Sequence, residues 1–284
     1  HLLYSRFITK VLHDLGWVDF REPFTSLFTQ GMVYKDGAKM SKSKGNVVTP
    51  DEINERYGAD TGRVFSLFMG PPEQDTEWSD EGVVGAYRFL WRVWRLVVDD
   101  PGRYLADWAQ HLPAEGSAAQ RALRRKTHQT IIKVSDDFER MAFNTAVAAI
   151  MELANELSNF AGRASDQPAD RAVFSEGITT LLLLLSPIAP HICDELWDRL
   201  GLPAPILRQP WPQADPAVAA EEQMTIAVQV MGKLRDSIQV PVGTDMDHVV
   251  ELALASEKVQ RHLQGKQVVK TVKVPGRLIN FVVR

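Results

Sequence analysis

The sequence predicts a multidomain, mainly α-helical chain: a lysine-rich loop with strands beside it, then an antiparallel helical bundle, then a small C-terminal α/β domain. Three observations predict it. At 284 residues the chain exceeds the usual span of one core. Between about residues 79 and 200, apolar residues recur at helical spacing through successive long segments. Beyond about residue 224 the pattern changes to β-branched runs around one helical stretch.

The first element reads as a helix, with Leu3, Phe7, Val11 and Leu15 four residues apart, Ile8 and Leu12 beside them, and Gly16 as its stop. That spacing predicts a narrow buried stripe. Phe24–Thr29 reads as a strand, Met32-Val33-Tyr34 as a strand edge and Lys35-Asp36-Gly37 as a turn. Past the lysine-rich loop, Thr49 is placed to cap a helix, Pro50 to open it, and Asp51 and Glu52 to face its positive end. This helix is expected to end near Tyr57-Gly58, and a second to run from Asp60 towards Met69. Pro71-Pro72 stops it and puts the first boundary near residue 75.

The bundle is expected over residues 76–202. Its first helix opens at Ser79-Asp80-Glu81 and carries Val83, Tyr87, Leu90, Trp94 and Val97 on one stripe. Helices follow at about Ser117–Arg140, Asn144–Ala161, Ala169–Ser186 and His191–Leu200, the last two separated by Ser186-Pro187-Ile188-Ala189-Pro190. Trp78, Trp91, Trp94 and Trp197 read as core. Prolines at 203, 205, 210, 212 and 216 mark residues 203–223 as an extended linker. Residues 224–284 form the closing domain, with strands at Thr225–Val230, Val268–Val274 and Leu278–Val283 around a helix from Asp247 to His262.

Composition narrows the function classes. With 45% hydrophobic and 24% charged residues the chain reads as soluble and globular, and its longest apolar stretch, Thr180 to Ile188, is too short for a bilayer. The single cysteine, Cys193, excludes an intrachain disulfide and a multi-thiolate zinc site, and favours a reducing, cytoplasmic setting. His191 and Cys193 lack companions for a metal site and read as packing at a helix start, so no metal site is expected. The opening residues carry neither an initiator methionine nor a signal-like segment, and the chain reads as cut from something longer. Net charge is −4, yet from Lys258 onward there are seven basic residues and no acidic one, which leaves −11 on everything before. Lys266, Lys270, Lys273 and Arg277 are therefore candidates for holding a nucleic-acid backbone; the rival reading is lysine protection of an edge strand. Arg88, Arg92 and Arg95 share one face of a bundle helix, either towards phosphates or as a solvated flank.

Chemistry concentrates in Gly37-Ala38-Lys39-Met40-Ser41-Lys42-Ser43-Lys44-Gly45-Asn46. Three lysines alternate with small and hydroxyl residues, so an extended loop would project them to one side as a mobile cationic arm. Ser41, Ser43 and the loop amides add hydrogen-bond donors for phosphate oxygens. Stabilising a polyphosphate leaving group is the task that this set suits.

Lys39-Met40-Ser41-Lys42-Ser43 is also the signature (KMSKS) loop of class I aminoacyl-tRNA synthetases. Its flanks resemble the bacterial-type leucyl-tRNA synthetase family: His1 to Phe7, Gln30-Gly31-Met32-Val33, Tyr57-Gly58-Ala59-Asp60-Thr61, Pro71 to Ser79 and Gly85 to Leu90. Pro190 to Trp197 resembles a late bundle helix of that family, and Val228 to Arg235 its C-terminal domain, so the resemblance covers almost the whole chain. It implies the end of a Rossmann-like catalytic domain, an anticodon-binding-like bundle and a tRNA-contacting α/β domain. It implies a ligase reaction in which leucine is activated by ATP to leucyl-adenylate and transferred to tRNA(Leu), with Mg²⁺ carried on ATP. The catalytic candidates are Lys42, then Lys39; Lys39, Met40, Ser41, Lys42 and Ser43 are the ATP-binding set, and His1 matches a histidine near the amino-acid pocket. The family also needs a His-Ile-Gly-His-like segment and an editing domain, which these residues lack. The chain is therefore expected to be inactive alone and to work with an upstream segment of the same enzyme. Two alternatives stay open: a non-catalytic tRNA-binding module, and a class I synthetase for isoleucine, valine or methionine.

Overall fold

The computed structural model describes residues 2–203, 205–220 and 223–284, grouped in two units, His1–Ala214 and Asp215–Arg284. In the first, α1 (Leu2–Asp14) is followed by a small sheet of β1 (Val33–Lys35), β2 (Ala38–Lys39) and β3 (Thr76–Glu77), with α2 (Pro50–Tyr57) and α3 (Ala59–Phe68) between β2 and β3. The sheet order is β2-β1-β3, antiparallel and then parallel. The helices α4 (Asp80–Val98), α5 (Ala118–Glu139), α6 (Phe143–Ala161), α7 (Pro168–Leu185) and α8 (Pro190–Arg199) build the bundle.

Helix starts follow from local chemistry. Ser79 caps α4 through Gly82 N, and Ser117 and Gln120 form a reciprocal capping box on α5. Thr49 caps α2 through Glu52 N. Proline opens α7 and α8, where its missing N–H costs no intrahelical bond. Helix α7 is central, with most of its residues buried and Leu181, Leu182, Leu184 and Leu185 fully enclosed. A Cβ on Gly177 would lie 2.7 Å from Leu157 Cδ2, so glycine there lets α7 approach α6. Val64 and Phe65 of α3 belong to the same core as the bundle. Asp60 reinforces this junction, accepting from Ile192 N at the start of α8 at 2.7 Å.

The second unit comprises α9 (Pro216–Ala219), β4 (Gln223–Val230), β5 (Lys233–Pro241), α10 (Met246–Ala255), α11 (Glu257–Leu263), β6 (Val268–Val274) and β7 (Leu278–Val283). The sheet order is β5-β4-β7-β6, with β4–β7 parallel and the outer pairs antiparallel. Ile226, Val228, Val240, Ile279 and Phe281 share a core with Val249, Ala253, Val259 and Leu263 of the two helices.

Four expectations are corrected. The apolar stripe of α1 is not buried: only Thr9 is, while Leu3, Phe7, Val11 and Leu15 are exposed, because no described element packs over them. Phe24–Thr29 forms no strand, since no described strand pairs with it. The single helix expected over 247–262 is two helices, broken at Ser256, whose extended backbone (ψ 123°) accompanies a hydrogen bond from its hydroxyl to Asp236. Strand β5 was not anticipated; its polar and charged residues masked the alternation, while Met231 and Gly232, both at positive φ, turn the chain back from β4.

Candidate functional site

The lysine loop stands on a hairpin. Lys35 pairs with Ala38 across a two-residue turn in which Asp36 (φ 56°) and Gly37 (φ 70°) both adopt the left-handed conformation, the geometry that matches the twist of an antiparallel pair. Strand β3 braces the hairpin from the other side: Met32 N donates to Asp75 Oδ1 at 2.7 Å, and Gly37 N to Glu77 Oε1 at 3.2 Å. Gly31 N donates to Pro72 O at 2.8 Å.

From Met40, whose N–H still bonds Val33 O at 3.1 Å, the chain passes through extended Ser41 into a single 3-10 turn over Lys42–Lys44. Lys44 N and Gly45 N donate back to Ser41 O and Lys42 O at 3.1 and 3.3 Å, and Gly45 leaves the turn at φ 68°. The expected extended loop is corrected here. With about three residues per turn, Lys42 and Lys44 diverge instead of sharing a side. Lys39, Lys42, Ser43 and Lys44 are exposed, Met40 and Ser41 are half-buried, and none of the three lysines has an ion-pair partner among the described residues. Ser41 Oγ and Ser43 Oγ lie 3.1 Å apart. The result is one short loop with three exposed ammonium groups, none ion-paired among the described residues, and the Ser41 and Ser43 hydroxyls beside Lys42, suited to an anion of several charges.

The remaining candidates are not gathered there. His1 lies outside the described residues. In the second unit Lys266 is exposed before β6, Lys270 lies on edge strand β6 opposite Val282, and Arg277 is exposed in the β6–β7 turn. Lys273, an odd number of residues from Lys270, is ion-paired with Asp247 of α10. These four do not share a face. Of the arginines on α4, Arg88 and Arg95 are exposed and Arg92 donates to Asn155 of α6. Trp197 is buried, while Trp78 and Trp94 pack partly buried against the core; Trp91 is 48% exposed, so it is not the core residue expected. It borders an aromatic cleft of about 310 Å³ with Tyr57, Tyr87 and Trp94.

Cys193 is fully buried, and burial, followed by Asp60 and Asp194, pushes its thiol well above the usual range; it is a packing residue. His191 is exposed instead of packed, with Nδ1 2.9 Å from Arg63 and 3.2 Å from Asp60. Among the described residues no three of His, Cys, Asp and Glu come together as metal ligands, and the lysine loop fits a phosphate and not a cation. Sequence reasoning placed Asn46 at the end of the loop but gave it no role; its side chain ties the loop together, and the only signal was an asparagine after Gly45.

Comparison with known proteins places this geometry. The model for class I tRNA synthetases (I, L, M and V) matches residues 7–79, and that for the anticodon-binding domain of tRNA ligases matches residues 120–251. The chain is 53% identical over its whole length to the leucine–tRNA ligase of Thioalkalivibrio sulfidiphilus, and 50% and 46% identical to those of Geobacter sp. and Thermotoga maritima, spanning 34% of each. It superposes over its full length on 37% of the Agrobacterium radiobacter K84 agnB2 LeuRS chain, from a ternary complex with tRNA and LeuAMS, at TM-score 0.77 and 35% identity. The fold alone is shared with Mycobacterium tuberculosis methionyl-tRNA synthetase in complex with methionyl-adenylate (TM-score 0.52, 24% identity, 71% of this chain and 42% of that one). A lysine loop leading into an anticodon-binding bundle defines a class I aminoacyl-tRNA synthetase architecture. Within that class the chain is homologous over its whole length to leucine–tRNA ligases and corresponds to their C-terminal part, about a third of the length of the relatives it matches.

Proposed function

We propose that this chain is the C-terminal portion of an enzyme that activates leucine with ATP and transfers it to tRNA(Leu), and that its lysine loop stabilises the departing pyrophosphate. The observation that carries the reading is the braced hairpin with three unpaired lysines, in a chain homologous over its whole length to leucine–tRNA ligases. In the reaction a leucine carboxylate oxygen attacks the α-phosphorus of ATP, the bond to the β,γ-pyrophosphate breaks, and the leaving group takes up the negative charge. The Lys42 ammonium faces that charge, with Lys39 as its neighbour and Ser41 and Ser43 as donors; removing one such preorganised donor typically slows the step about 10²- to 10³-fold. Magnesium would be carried by ATP as part of the substrate and would offset phosphate charge there, and His1 is assigned to the amino-acid pocket.

Functionally we divide the chain at the boundaries that the sequence suggests. Residues 1–75 close the catalytic domain, 76–202 face tRNA, 203–223 link, and 224–284 hold the tRNA body through Lys266, Lys270 and Arg277, with Lys273 recruited only if it leaves Asp247. The enzyme works in the cytoplasm; no helix among the described residues is long and apolar enough to cross a membrane. The exposed apolar face of α1 supports an upstream segment of the same enzyme as its cover, and a chain without that segment is expected not to charge tRNA. The test is to mix the chain with a separately produced upstream segment and measure aminoacylation with leucine, isoleucine, valine and methionine. Charging that appears only on mixing and only with leucine supports the reading. Charging by the chain alone, or with another amino acid, contradicts it.

A further inference from the structure

We infer that Asn46 is the positioning residue of the lysine loop: one carboxamide fastens both ends of the turn that carries Lys42. This rests on the reading of that loop as the pyrophosphate-facing arm. Asn46 Oδ1 accepts from Ser41 N at 2.9 Å, at the entry to the turn. Its Nδ2 donates to Lys35 O and Ala38 O, both at 3.2 Å, on the hairpin strands, and lies 3.4 Å from Lys39 O. The side chain thus spans from the exit of the turn, next to Gly45, to its entry and to the rigid hairpin beneath it.

The chemistry calls for this residue type. Lys42 follows Ser41 directly, so the amide fixed by Oδ1 belongs to the residue that sets where the Lys42 side chain leaves the backbone. Among side chains only a carboxamide accepts at its oxygen while donating two N–H groups from its nitrogen, here to Lys35 O and Ala38 O. Aspartate keeps the acceptor but sets a charge against those carbonyls, and alanine removes every bond. The carbonyls released lie on the hairpin strands and are at most part-buried, so water can replace the lost donor and the cost falls on the placement of Lys42 more than on folding. A displacement of about 1 Å in a group acting on a transition state costs up to about 10²-fold in rate.

The test uses the intact ligase that contains this chain, with Asn46→Asp, Asn46→Ala, Lys42→Ala and the Asn46→Ala/Lys42→Ala pair. Leucine-dependent exchange of pyrophosphate into ATP gives kcat and the KM for leucine, and trypsin cleavage after Lys39, Lys42 and Lys44 reports the order of the loop. The expected result is a fall in kcat of about 10- to 100-fold in both Asn46 variants, an unchanged KM for leucine and faster cleavage in the loop. The paired variant should be no slower than Lys42→Ala alone, because Asn46 acts through Lys42. If Asn46→Asp folds poorly, Asn46→Ala, which adds no charge, carries the comparison. Wild-type kcat in the Asn46 variants beside a slowed Lys42→Ala overturns the positioning role and leaves the loop reading standing, as do losses that multiply in the pair. Unchanged exchange in Lys42→Ala overturns both.

Discussion

Gly31 has no room for a side chain: a Cβ built there would lie 2.0 Å from Gln74 O, where the segment entering β1 crosses the one entering β3. Gly31→Ala must push the two segments apart, and we expect it to cost about 2 kcal/mol or more, read by urea denaturation of the intact ligase. Glu176 is a second such residue, buried between α5 and α7 with a two-bond contact to Arg124 at 2.7 and 3.1 Å and with His128 at 3.3 Å. Burial alone would raise its carboxyl, yet the hydrogen bonds from His128 and Arg124 outweigh it and hold the group below its usual range. A depressed folded value gives stability that is complete above the unfolded value and lost as pH falls through the folded one. The melting temperature should therefore drop as the buffer is taken below about pH 4, and Glu176→Gln should flatten that drop while costing about 2 kcal/mol at neutral pH. Residue-scale features were legible where their cause is local, as with Asp36-Gly37 or the Thr49 cap. Asn46 was not, because its partners, five to eleven residues away, follow no periodicity.

Helices tell the same story one level up. The bundle was legible because α4, α5, α6 and α8 each carry caps or stops as well as a stripe, while α7 opens at a proline and is apolar on nearly every face, and their boundaries fall within a few residues of those expected. Periodicity states which face of a helix seeks burial but not what provides it, and so α1, with the same spacing, lies exposed in these residues. β-rich composition is equally silent about partners, which is why Phe24–Thr29 was misread and the polar strand β5 overlooked. The central position of α7 leads to a direct expectation: Leu181→Ala, at a fully buried site, should cost about 3 kcal/mol in denaturant unfolding of the first unit. A loss under 1 kcal/mol would mean that the bundle is packed around some other helix.

Each unit has a core of its own, and all seven tryptophans, the last at 211, belong to the first. Phe281→Ala, emptying the centre of the second core, should destabilise that unit by about 3 kcal/mol and leave the tryptophan fluorescence transition where it was, while circular dichroism shows an earlier loss of structure. Coincident shifts in both probes would join the two units into one cooperative fold. The charge asymmetry of the whole chain was legible too, but a count of bases did not reveal that Lys273 is already paired while Lys39, Lys42 and Lys44 have no ion-pair partner among the described residues. Those unpaired lysines carry the functional account, and leucine-dependent pyrophosphate exchange in the intact ligase with Lys42→Ala tests it most directly. The account predicts a fall in kcat of about 10²- to 10³-fold with leucine KM unchanged; exchange at the wild-type rate would contradict it.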